Sequence, residues 1–137
     1  WHSLDARDRE EPLLAREVAQ ALIAVNASVE AQQLIEQALQ KHWESDLVLA
    51  YAQCNDGDLI GRIAQAEKWL VQHPRDSALL LTLGRLCRQQ KLWGKAQSYL
   101  EASLTITPQR AVHVELAKLF DQLENSALAL RHYRAAA

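Results

Sequence analysis

Apolar residues along this chain recur at helical spacing, and the recurrence is clearest between residues 77 and 110. Leu80, Leu83, Gly84 and Cys87 fall at i, i+3, i+4 and i+7, the stripe that one face of a helix presents. Ala96, Leu100 and Ser103 then stand at i, i+4 and i+7, and Pro108 closes the run. Pro74 lies 34 residues before Pro108 and also follows a helix-like run, so Ser77–Arg110 reads as one helix–turn–helix unit. Ala117, Ala129 and Ala136 follow Gly84, Ala96 and Ser103 by 33 residues, and Ala19, Ala31 and Ala38 repeat their 12- and 7-residue spacing upstream. The match is weakest between these units. Ala50 aligns with Gly84 there, but Arg62 falls in the place of Ala96 and Trp69 in that of Ser103. Asn55-Asp56-Gly57-Asp58 marks the turn of that unit. The pattern predicts four helix hairpins over about 12–42, 44–73, 77–107 and 110–136, after a charged arm over 1–11.

The unit resembles a tetratricopeptide repeat (TPR), a 34-residue hairpin with small residues at three positions and a proline near its end. Gly84, Ala96, Ser103 and Pro108 stand at those places. The need is steric, since Gly84 and Ala96 fall where the two helices cross and a large side chain would force the backbones apart. The expected fold is all-α, a right-handed TPR-like solenoid of about four antiparallel hairpins.

Composition narrows the function classes. Four glycines in 137 residues cannot supply the turns of a many-stranded β fold, and no glycine-rich phosphate loop is present. A net charge of −2 with interspersed signs leaves no footprint for nucleic acid. Cys54 and Cys87 are too few for a disulfide framework and read as small core residues. No window matches a membrane span. The absence of methionine suggests a piece of a longer protein whose anchor lies outside this chain.

Catalytic and metal chemistry find no support in the spacing. His2, His42, His73, His113 and His132 are scattered, and Glu115 points to a different helix face from His113. Asp56 and Asp58 sit in a turn with no glutamate to complete a calcium loop. The chain is therefore expected not to be an enzyme and to use neither a metal nor a catalytic cofactor.

What remains is a surface. In TPR arrays the first helix of each hairpin lines a concave groove, and the matching positions offer Arg85, Arg88 and Gln89, then Lys118 and Gln122, with Tyr51 and Asn55 from the second unit. Leu81, Cys54 and Asp121 fall at groove positions as well. Arg85, Arg88 and Lys118 form a basic stripe suited to a carboxylate or an acidic peptide. Trp93 is placed in the inter-helix turn, with Gly94 allowing the bend, either packed on a neighbouring hairpin or exposed as an interface anchor.

Three stretches, Leu79-Leu80-Leu81-Thr82-Leu83-Gly84-Arg85-Leu86-Cys87, Leu92-Trp93-Gly94-Lys95-Ala96 and Tyr99-Leu100-Glu101-Ala102-Ser103-Leu104, resemble the C-terminal TPR region of the HemY family. The resemblance covers about residues 44–137. It implies a bacterial inner-membrane scaffold associated with protohaem IX synthesis, tethered by helices absent here and holding a late haem-pathway enzyme as protein partner. Two alternatives stand beside it: a module binding haem or porphyrin through Tyr51 or a histidine such as His113, and self-association through the C-terminal end.

Overall fold

The computed structural model describes residues 14–54 and 57–137. The arm over 1–11 and Asn55 lie outside the described residues. The described residues form eight helices and no strand: α1 (14–24), α2 (Ser28–Lys41), α3 (Ser45–Tyr51), α4 (Leu59–Gln72), α5 (Ser77–Gln89), α6 (Trp93–Ile106), α7 (Arg110–Gln122) and α8 (Ser126–Ala136). They belong to two compact units, Trp1–Leu59 and Ile60–Ala137.

In the first unit α2 packs on α3 and buries Ala31, Ile35 and Leu39, residues spaced by four along one face. Arg16 on α1 reaches Asp46 on α3 at 3.2 Å. The helix α3 has only seven residues, about half the length of its counterparts α5 and α7. Behind it the chain passes Gly57 at φ 89°, a left-handed conformation that suits glycine, before α4 begins.

In the second unit α5 packs on both α6 and α7, and α7 packs on α8. This gives α5 the widest buried face of any helix described, from Leu79 through Gly84 without a break and then Leu86 and Cys87. Leu81, expected in the groove, is buried for this reason. Asp76 caps α5 by accepting the Leu79 amide at 3.1 Å, which satisfies one of the free N–H groups of the first turn. A Cβ on Gly84 would stand 2.4 Å from Leu100 Cδ2 on α6, so the close crossing demands the glycine. Ser103, small for the same reason, donates its hydroxyl to the Ser77 carbonyl at 2.9 Å and ties the end of α6 to the start of α5.

One turn design closes three of the helix pairs. After α5 the Leu92 amide bonds the Cys87 carbonyl at 2.8 Å and the Lys91 amide bonds Arg88, with Lys91 at φ 64°. The same paired bonds surround Asn26 (φ 62°) after α1 and Glu124 (φ 59°) after α7. Each is a Schellman cap with a non-glycine residue in the left-handed position. This corrects the assignment of the bend to Gly94. Lys91 makes the turn, whereas Trp93 opens α6 half-buried and Gly94 lies inside the helix with open space around it.

Candidate functional site

The basic stripe is assembled in the second unit around one carboxylate. Arg85 and Arg88 stand one helical turn apart on α5, and Glu115 and Lys118 one turn apart on the adjacent α7. Glu115 is 4% exposed. Its Oε1 accepts from Arg85 Nε and its Oε2 from Arg88 Nε, each at 3.2 Å. Lys118 Nζ approaches Oε1 at 3.7 Å, and Arg88 Nη1 reaches Gln122 Oε1 at 3.5 Å. Three cations thus share one anion, and the side chains of Arg85, Arg88 and Lys118 remain 25%, 19% and 48% exposed. Glu115 fixes the arginines by their Nε atoms, which limits their rotamer freedom and leaves the cluster with surplus positive charge. Such a surface suits a carboxylate or another anion.

The structure therefore joins Arg85, Arg88, Lys118 and Gln122. Gln89 is exposed at the end of α5. Tyr51 stands differently. It belongs to the first unit, is fully buried, and donates its hydroxyl to Glu36 Oε2 at 3.1 Å. Tyr51 accordingly presents neither a groove surface nor a hydroxyl open to a haem, because its position on α3 is turned into the core. Cys54 is likewise buried. Asp121, which partly offsets the cations, accepts the Tyr133 hydroxyl from α8 at 2.8 Å.

Glu115 itself escaped the reading of the sequence as a site residue. Its one signal was a glutamate at a core-facing place on α7, 30 residues from Arg85, and nothing local pairs them. Nothing in the sequence marks His113 and His132 as a pair. They lie 19 residues apart, and the packing of α7 on α8 brings Nδ1 to Nδ1 at 3.0 Å.

A second polar cluster joins α4 to α6. Glu67 accepts a hydrogen bond from the Tyr99 hydroxyl, and Lys95 Nζ lies 3.0 Å from the same oxygen. The Tyr99 bond, with help from Lys95, holds the Glu67 carboxyl below the ordinary carboxylate range. Burial, then the Glu67 bond, pushes the Tyr99 phenol up. Burial also pushes the nearby Cys87 thiol up to about 11, which keeps it protonated and unreactive at neutral pH. The cluster is a clasp between helices. Among the described residues no group of three or more histidine, cysteine or acidic side chains is placed to hold a metal ion, and no helix is long and apolar enough to cross a membrane.

No protein-family model matches the chain, and no curated protein matches it. Solved structures of MamA, a TPR-like all-helical protein, do match in fold. MamA MSR-1 aligns with a TM-score of 0.64 and 18% identity over 89% of this chain and 72% of its own. MamA AMB-1 aligns at 0.60 and 20% over 89% and 69%, and a MamA D159K mutant at 0.61 and 19% over 89% and 73%. At these identities the likeness concerns the fold, which is all-α and built of TPR-like helix hairpins, as the 34-residue spacing predicts.

Proposed function

We propose that this chain is a non-catalytic protein-interaction scaffold that takes an acidic segment of its partner on the Arg85–Arg88–Lys118 cluster. The observation that carries the reading is the sharing of one buried carboxylate by three partly exposed cations. A TPR-like fold adds a reason to look for a peptide or protein rather than a small substrate. The stretches similar to the HemY family make a late haem-pathway enzyme the first partner to try, with the parent protein held at the bacterial inner membrane.

The test must spare Glu115, because reversing both arginines would strand a buried charge and unfold the site. Lys118→Glu avoids this, since Lys118 is half exposed and the two arginine bridges remain. Crosslinked capture from membranes by the full-length parent is expected to recover a partner whose yield falls with added salt and falls further with Lys118→Glu. Equal recovery by both forms at every salt concentration would remove the cluster from the binding surface.

A further inference from the structure

We propose that the His113–His132 contact is a single-proton latch that holds α8 on α7 at neutral pH and lets it loosen on mild acidification. The two Nδ1 atoms are 3.0 Å apart and the ring centroids 5.3 Å apart. That centroid separation is the nitrogen distance extended by one ring radius on each side, so the nitrogens face each other head-on. One imidazole must donate its Nδ1–H and the other accept it on a bare Nδ1. The gap holds one proton. A chelated metal would require the two lone pairs to converge off this line, and the described residues supply no third ligand. One added proton gives a singly charged pair that keeps the shared Nδ1–H···Nδ1 bond; a second leaves both rings charged, so that two N–H groups and two positive charges meet and the bond becomes a repulsion.

The surroundings make the second proton costly and its effect local. His132 is half-buried, and its ring stacks on Phe120 of α7 at 5.5 Å and 14°. Burial foremost, then the charges of His113 and Arg131, holds His132 below its ordinary 6.5, against a smaller opposite pull from Glu101 on α6. The charged groups that α5 turns toward α7, Arg85 and Arg88, meet Glu115 and stay on the other face. Meanwhile, among the described helices, α8 packs on α7 alone and little of it is buried. Ala129 is its one buried residue, whereas α5 buries eight and α7 six. The remaining side-chain tie from α8 to α7 is Tyr133 to Asp121. Its phenol stays protonated through neutrality, because the Asp121 bond pushes it above its ordinary value. A helix that packs on one neighbour and buries one residue belongs to the low-stability end of a domain, where a single bond shifts its population.

Because the docked state disfavours the doubly protonated pair, the unfolded or undocked chain takes up that second proton more readily. The contribution of the latch is complete above the ordinary histidine value of 6.5 and is lost as pH falls through the lowered one. Hydrogen exchange of the whole chain, corrected for intrinsic rates, reads this directly. Between about pH 7.5 and 5.5 the amides of α8 are expected to lose about tenfold in protection while those of α5 and α6 hold theirs. His132→Phe preserves the stack on Phe120 and removes the titration, so its α8 protection is expected to be flat over that range. The Cε1–H resonance of His132 in the unmutated protein gives a reading that needs no variant, and a titration midpoint below 6.5 is expected. A His132 midpoint at or above 6.5, or α8 protection that tracks α5 and α6 across the range, would overturn the latch.

Discussion

Lys91 shows how a residue can work against its own preference. A side chain at φ 64° is strained by its Cβ, and yet Lys91, Asn26 and Glu124 occupy this position in three equivalent turns. Lys91→Gly is expected to stabilise the fold by about 0.5–1 kcal/mol, read as a rise of a few degrees in thermal midpoint. Gly84→Ala runs the other way. Its small gain in helix propensity is outweighed by the overlap with Leu100 at 2.4 Å, and a loss of about 1–3 kcal/mol in chemical denaturation is expected. Both thiols are buried, so Cys54 and Cys87 should resist a thiol reagent at about pH 8 in the folded protein and react fully in denaturant.

At the scale of elements, α5 and α7 are joined by an interaction that is not pairwise. Arg88→Ala leaves Glu115 with Arg85 and Lys118, and Arg85→Ala leaves it with Arg88 and Lys118, so each single change is expected to cost about 1–2 kcal/mol. The double variant leaves a 4% exposed carboxylate with Lys118 alone at 3.7 Å. Its loss should exceed the sum of the two by more than about 0.5 kcal/mol in a double-mutant cycle. The clasp of α4 on α6 has its own signature. Glu67 is held below its ordinary 4.5, so this contribution is full above that value and disappears as pH falls through the lowered one, a loss that Glu67→Gln should abolish.

At the scale of the whole molecule, repeat folds of this kind are stabilised chiefly between neighbours along the chain. Ile35→Ala, in the core of the first unit, is therefore expected to cost about 2–5 kcal/mol there and to leave hydrogen-exchange protection in α7 and α8 unchanged. Helicity, the 34-residue period and the small residues at the close crossing are legible in the linear sequence. Each depends on local propensity or on spacing within one hairpin, which Leu80, Gly84, Ala96 and Ser103 display without reference to distant residues. Arg85, Arg88 and Lys118 could also be marked as cations on helix faces. The bend is not legible locally, since Gly94 carries the stronger signal while Lys91 takes the left-handed conformation to complete the two bonds of the cap. Only the packing of α5 on α7 could reveal that Glu115 gathers the cations, and only that of α7 on α8 that His113 meets His132. Charge–charge and proton-sharing contacts carry no period, and their partners are chosen by which faces meet once the apolar stripes are buried.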